Sequence, residues 1–302
     1  MKIWNRSNNL LIFIFVLIAL EAFLLLSSDY KTNQKQKLEE ARLAHIQQIF
    51  STNPVLAKTF SVYDDTDKKE IYSKNGDAVL PFASLSKVMT VILALEKHKL
   101  DDVVVIPNSS SQQDKNYALT QGEKWKVGDL AKFTLISSSN DGARDLTMND
   151  GNFLKDMNEK AKEIGMQNTV FFNFSGLDID AEKAGSYGRA LDANLMAIYA
   201  MNKYPEIFSS TIVPSAILKS LSGNVHNIKN TNTITTEIPN LLFSKTGLTT
   251  LAGGNLTIIF KNKADHIIAI TLLGSTQEGR FSDMEKLVGI AYNLEYAVKT
   301  PN

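Results

Sequence analysis

A serine and a lysine three residues apart, Ser84-Leu85-Ser86-Lys87, open an apolar-periodic stretch that runs to about His98. In a helix, positions i and i+3 share a face about 5–6 Å apart, so the Ser84 hydroxyl and the Lys87 amine enter the same space. That places a nucleophile beside a proton acceptor, provided the amine is neutral; burial or a second cation lowers a lysine pKa in that direction. Two further strings supply matching chemistry. Ser138-Ser139-Asn140 offers a hydroxyl that can relay protons and an amide that can hold a carbonyl. Lys245-Thr246-Gly247 offers a cation, a hydroxyl and a position without a side chain, where a bound chain can approach the backbone. Lys245 is the candidate second cation, and a helix N-terminus at Ser84 favours developing oxyanion charge.

Each string alone is weak. Ser28-Asp29-Tyr30-Lys31 repeats the first spacing, and Ser-x-Asn recurs at Ser7, Ser51, Ser73 and Ser222. Ser84 as a helix N-cap, Lys87 on the surface, Ser138 and Asn140 as caps, and Lys245 to Gly247 as a polar strand end are the alternatives. What sets the three strings apart is their order and setting: a strand-to-helix junction, an interhelical turn and the start of a strand pair.

The elements that must position them follow from periodicity. Ala57 to Val62 and Glu70 to Ser73 read as short strands around Asp64-Asp65-Thr66-Asp67, leading into Pro81-Phe82-Ala83 and the Ser84 helix. From about 100 to 208 the pattern is helical, at Val127 to Ile136, Asp141 to Met148, Phe153 to Ile164 and Ala190 to Met201. Strand character returns at Ile212 to Leu221, Leu241 to Thr246, Asn255 to Phe260 and His266 to Leu273, before a last helix from about Phe281 to Val298. The expected fold is α+β, an antiparallel sheet built from both chain ends with an inserted all-α subdomain.

Among 302 residues, Lys plus Arg equals Asp plus Glu at 32 each, so no basic surface points to a nucleic-acid partner. Cysteine is absent, which excludes disulfides, thiolate catalysis and Cys-based zinc sites. His45, His98, His226 and His266 show no His-Glu-x-x-His pairing, and no Gly-x-Ser-x-Gly elbow occurs. They read as surface or packing residues, with neither a metal nor a cofactor expected. At the N-terminus Lys2 and Arg6 precede an apolar run, Leu10 to Leu26, broken only by Glu21. It spans about 25 Å, close to the bilayer core, and no Ala-x-Ala site follows it; a cleaved signal peptide, cut after Ser27, is the alternative. The expected organisation is a cytoplasmic tail and transmembrane anchor over 1–28, a helical stalk over 29–53 and a domain outside the cytoplasm over 54–302.

Ala83-Ser84-Leu85-Ser86-Lys87-Val88-Met89-Thr90, Ser138-Ser139-Asn140-Asp141 and Lys245-Thr246-Gly247-Leu248-Thr249 with Ala252-Gly253 occur in that order. Phe171-Phe172-Asn173 with Gly176-Leu177-Asp178 and Asn230-Thr231-Asn232 add two more pieces. Over roughly Val55 to Asn293 the chain resembles the D-alanyl-D-alanine carboxypeptidase A family of penicillin-binding serine D,D-peptidases, with a β-lactamase/transpeptidase-like fold. The resemblance implies Ser84 as acylated nucleophile and Lys87 as base, with Ser138 and Asn140 catalytic. It implies Lys245, Thr246, Gly247 and Leu248 as substrate-binding residues, and an oxyanion hole made by the N–H groups of Ser84 and Leu248. The implied partners are peptidoglycan stem peptides, with β-lactams as covalent inhibitors, at the bacterial cytoplasmic membrane.

Three positions differ from the family pattern: Phe243 stands where glycine is usual, Gly142 where alanine is usual, and Thr231 where some members carry a positive side chain for the substrate carboxylate. Lys229 and Arg189 are only weak substitutes for it. The sequence also has one helix past the sheet, where many members continue into a β-rich domain and a terminal anchor; the N-terminal anchor would replace that attachment. A D,D-endopeptidase, a class A β-lactamase and a receptor that binds without turnover are the competing readings. Against the β-lactamase, this sequence has no Glu-x-x-x-Asn element downstream of Asn140 to serve as its deacylating base, and sustained release of D-alanine would separate the peptidase from the receptor.

Overall fold

The computed structural model of the protein describes residues 6–107 and 119–294. The chain divides into two units, Met1–Ser51 and Thr52–Asn302. The first is built on one helix, α1 (Arg6–Thr52). Neither glycine nor proline interrupts those 47 residues, so nothing breaks the backbone hydrogen-bond series until Asn53-Pro54 removes the next donor. Its N-terminal half is apolar with side chains such as Phe15 and Leu26 exposed, and it is long and apolar enough to cross a membrane by length and composition.

In the second unit the first strands are β1 (Thr59–Asp64), β2 (Lys69–Lys74) and β3 (Leu80–Pro81). A 3-10 turn, Ala83–Leu85, then runs into α2 (Ser86–Lys97). The middle of the unit holds β4 (Val103–Val105), β5 (Lys124–Lys126), α3 (Val127–Ser137), α4 (Asn140–Asp145) and α5 (Phe153–Glu163). It continues with β6 (Val170–Phe171), β7 (Ser186–Gly188), α6 (Ala190–Lys203), α7 (Pro205–Phe208), β8 (Ser215–Lys219) and β9 (Val225–Lys229). The chain closes with β10 (Leu241–Thr249), β11 (Gly253–Lys261), β12 (Ile267–Ser275) and α8 (Gly279–Tyr292).

The main sheet has the order β10-β11-β12-β1-β2 with every pair antiparallel, so strands from both ends of the unit meet at β1 and β12, where Phe60 faces Leu272 and Val62 faces Ile270. The expected sheet from both chain ends is present. β11 and β12 are buried on both faces, which is why their sequences are near-continuous apolar runs rather than alternating ones. Helices α6 and α8 pack on these strands, and a polar link ties α6 to the sheet: Asn194 donates to Ser61 O at 3.1 Å and accepts from Thr271 Oγ1 at 2.7 Å.

α2 is the central helix. Every residue from Ser86 to Leu95 is buried, so it is surrounded on all sides and its first turn is held by tertiary packing rather than by a side-chain cap. Two expectations change. The insert is helical in its frame but not all-α: β4 pairs with β5, and β6 with β7, as pieces of two or three residues too short to show a period of two in sequence. The strand expected at Ile212 to Leu221 forms, as β8, but pairs with β9 in a separate ribbon whose turn contains Gly223 at φ 92°. Sequence period identifies a strand, not the sheet it joins. α8 ends at Tyr292, and the expected continuation over 295–298 lies outside the described residues.

Candidate active site

Ser84 stands on a segment fixed from three sides. Asn255, fully buried on β11, donates to Pro81 O at 2.9 Å and Phe82 O at 3.1 Å. Ala83 adopts φ 51°, a left-handed conformation unusual for a residue with a Cβ, and its carbonyl accepts from Ser86 Oγ at 2.9 Å. Gly176 packs against that same carbonyl so closely that a Cβ would lie 1.8 Å from it. The strained turn is thus over-determined by its surroundings, as backbone strain at functional positions requires.

One turn on, Lys87 is completely buried and its Nζ lies within hydrogen-bond distance of Ser84 Oγ at 2.7 Å, Asn140 Oδ1 at 2.8 Å and Ser175 O at 2.8 Å. The i, i+3 geometry expected from sequence is realised, and the surface-lysine alternative is not. Ser138 follows the last residue of α3 at φ 60°, which turns the chain sharply between α3 and α4. The cap of α4 is Ser139, whose hydroxyl accepts from Gly142 N–H at 2.9 Å. Asn140 is therefore released from the capping role that sequence alone left open, and its amide oxygen is available to Lys87.

The third string lies on β10, the edge strand. Lys245 is buried, and its Nζ donates to Ser138 Oγ at 2.9 Å and Thr246 O at 3.0 Å. Burial holds its pKa well below the ordinary lysine value, and the nearby charges of Lys87 and Arg280 push the same way. Thr246 Oγ1 lies 2.5 Å from Thr231 Oγ1, and the Thr231 N–H donates to Ile136 O at 3.2 Å, so the Asn230-Thr231-Asn232 segment joins the end of α3 to β10. Gly247 lies against the nucleophile segment: a Cβ there would sit 2.6 Å from Phe82 O. Leu248 is exposed beside it, and Thr249 donates to Asp178 Oδ1 at 2.8 Å.

All eight residues singled out from sequence meet in this region. Ser84, Lys87 and Asn140 form one hydrogen-bonded chain, Lys245 and Ser138 a second from the facing strand, and Thr246, Gly247 and Leu248 continue along β10. Chemically this is a hydroxyl on a buried amine, a second hydroxyl on a second buried amine, and an edge strand against which an extended chain can pair. Because no histidine takes part in these contacts, the proton chemistry falls to the lysines.

A family model described as D-alanyl-D-alanine carboxypeptidase, Peptidase_S11, matches residues 46–276. The chain belongs to that family. The carboxypeptidase family relatives include D-alanyl-D-alanine carboxypeptidase DacF of Bacillus subtilis, 30% identical over 247 residues. The match takes in 78% of this chain, and the chain spans 62% of the length of that relative. A D-alanyl-D-alanine endopeptidase of Haemophilus influenzae is 28% identical over 76% of this chain and 80% of its own length. Among solved structures, penicillin-binding protein D2 of Listeria monocytogenes in its ampicillin-bound form superposes with a TM-score of 0.69 at 30% identity, covering 79% of this chain and 98% of that one.

The positions that depart from the family pattern have local reasons. Phe243 is fully buried, with its ring 6.1 Å from that of Phe208, as part of the core. Gly142 faces the Thr134 hydroxyl, which a Cβ would approach to 2.4 Å. Arg189 pairs with Asp192 at 3.4 Å and Asp77 at 3.5 Å, and Lys229 is exposed on β9.

Sequence reasoning missed Asn255, the Ser175 carbonyl and Arg280, whose Nη1 donates to Gly247 O at 3.0 Å. All three act on or through backbone carbonyls, which leave no side-chain pattern; the one available signal was Asn255 as a polar residue ahead of the apolar run of β11, whereas Arg280 sits among other polar residues of α8. Among the described residues Asp64, Asp67 and His266 bring possible ligand atoms within 4.8 Å of one another, but Asp64 Oδ1 accepts from the Thr66 N–H at 2.8 Å and Oδ2 lies 2.8 Å from His266 Nδ1. That cluster closes the β1–β2 turn.

Proposed function

We propose that the protein is a membrane-anchored serine D-Ala-D-Ala carboxypeptidase that removes the terminal D-alanine of peptidoglycan stem peptides. The observation that carries this reading is the 2.7 Å contact between Lys87 Nζ and Ser84 Oγ, made by a lysine with no exposure to solvent. In the neutral form Lys87 takes the proton as Ser84 Oγ attacks the carbonyl between the two D-alanines. The tetrahedral oxygen accepts from the Ser84 and Leu248 N–H groups. Ser138, bonded to Lys245, relays a proton to the departing amine, D-alanine leaves, and water then releases the acyl group from Ser84. Asn140 holds Lys87 in place, and Thr246 and Gly247 bind the substrate backbone and terminus.

β-lactams enter as covalent inhibitors by the same attack; the solved Listeria relative was crystallised with ampicillin. Residues 1–28 form the tail and anchor, 29–53 the stalk and 54–302 the peptidase domain outside the cytoplasm, supported by the unbroken α1 and its apolar N-terminal half. A second reading, cleavage of D,D-cross-links, is favoured by the Thr231 hydroxyl beside Thr246, where a positive side chain would suit a free carboxylate, and by the pairing of Arg189 with Asp192 and Asp77. The Haemophilus relative bears the endopeptidase name. Incubation with a stem pentapeptide and with a cross-linked muropeptide dimer, followed by mass analysis of the products, tests both. Loss of one alanine from the pentapeptide supports the first reading and cleavage of the dimer alone the second; neither product excludes both.

A further inference from the structure

The peptide unit joining Gly247 to Leu248 is held from behind. Arg280, in the first turn of α8, is 7% exposed and donates from Nη1 to the Gly247 carbonyl at 3.0 Å. Gly254 lies beside it: a Cβ there would meet Thr276 O at 2.1 Å and crowd Arg280 Cδ at 3.2 Å. A trans peptide is planar, with C=O and N–H pointing in opposite directions, so whatever fixes the Gly247 carbonyl also fixes the Leu248 N–H.

The direction of that N–H follows from the ladder. Along a strand, the N–H groups of alternate residues leave on the same side. Ser244 N–H leaves β10 at its outer edge, donating to Thr211 Oγ1 at 3.0 Å, and the β10–β11 register is regular from Phe243 to Thr249. Leu248 therefore presents its N–H at that same free edge, on a strand whose Gly247 lies against the Ser84 segment. Arg280 Nε has no hydrogen-bond partner among the described residues. The guanidinium also lies 4.6 Å from the centre of the Phe281 ring, and its hydrogen bond among the described residues is the one to the Gly247 carbonyl.

We propose that Arg280 is a positioning residue for the oxyanion contact: by holding the Gly247 carbonyl it aims the Leu248 N–H into the cleft and polarises it as a donor. This rests on the reading above that Leu248 N–H meets the tetrahedral oxygen. A charge on the far side of a peptide unit strengthens the donor without touching substrate, and the effect is largest when the oxygen becomes anionic. It belongs to the transition state more than to the bound ground state.

The test is stopped-flow acylation of the full chain in detergent by a fluorescent penicillin, with wild type, Arg280→Met and Arg280→Lys compared after a thermal melt establishes folding. In Arg280→Met the limiting acylation rate is expected to fall about 10- to 100-fold, while the half-saturating concentration moves less than about 3-fold and the acid limb of the pH–rate profile stays in place. Arg280→Lys, which keeps a cation able to reach the carbonyl, is expected to recover part of the rate, and it alone decides the matter if the methionine variant does not fold. An unchanged limiting rate in the variants overturns the proposal, as does a loss confined to half-saturation. A shifted acid limb also overturns it, since Arg280 would then act through the charge of Lys245. Absence of acylation in folded wild type overturns the functional reading, and this inference with it.

Discussion

Lys245 reaches across 107 residues of sequence to place its Nζ 2.9 Å from Ser138 Oγ. This bond joins the edge strand of the sheet to the turn between α3 and α4, and it places a second amine near the first. Burial disfavours the Lys245 charge, and the positive charges of Lys87 and Arg280 push the same way, so Lys245 keeps its proton less readily than a lysine in water.

That depression makes stability depend on pH. Between the depressed native value and the ordinary lysine value the unfolded chain holds a proton that the native one lacks, so the contribution of Lys245 to stability rises with pH across that interval, by up to about 1.4 kcal/mol per unit. Urea unfolding at pH 7 and pH 9 is expected to show a steeper rise for wild type than for Lys245→Met. Parallel slopes would show that Lys245 titrates normally.

Removing the other amine acts on chemistry. Lys87→Ala deletes the only side chain hydrogen-bonded to Ser84 Oγ among the described contacts, and acylation by penicillin is expected to slow about 100- to 10,000-fold with the circular dichroism spectrum retained. A normal rate would remove Lys87 from the mechanism.

How much of this was legible in the sequence depends on the range of each contact. Ser84, in the 3-10 turn, and Lys87, in the first turn of α2 that continues it, are three residues apart, so periodicity alone places them together. Ser138 and Lys245 share no period; their joint presence came from the order of motifs and a family resemblance. Ala83 offered no sign of its positive φ, because the cause is Gly176 and Asn255 pressing on the turn from elsewhere in the chain. The helices α3, α5 and α6 were readable because each has enough turns to show a face, whereas β4 to β7 were too short to show alternation.

Gly176 gives a prediction of its own. At φ 79°, with Ala83 O 1.8 Å from where a Cβ would be, Gly176→Ala must displace either its own loop or the nucleophile turn. It is expected to cost about 2–4 kcal/mol in urea unfolding and to impair acylation, because the same loop supplies Ser175 O to Lys87. A variant of wild-type stability would mean that the turn is less constrained than described.

Arg189 separates the two substrate readings from the side of binding. Its guanidinium is 3.4 Å from Asp192 and 3.5 Å from Asp77, so Arg189→Ala is expected to leave the KM for stem-peptide cleavage within about 2-fold of wild type while lowering stability by roughly 1 kcal/mol. A rise of KM by about 10-fold or more would instead make Arg189 a carboxylate-binding group.

The central claim is that Ser84 is an activated nucleophile, and intact mass after exposure to a penicillin tests it most directly. The full chain in detergent is expected to gain the mass of one penicillin, the adduct mapping by peptide analysis to Ser84 and disappearing in Ser84→Ala. Folded wild-type protein that gains no mass, or a Ser84→Ala variant that still gains it, would contradict the account.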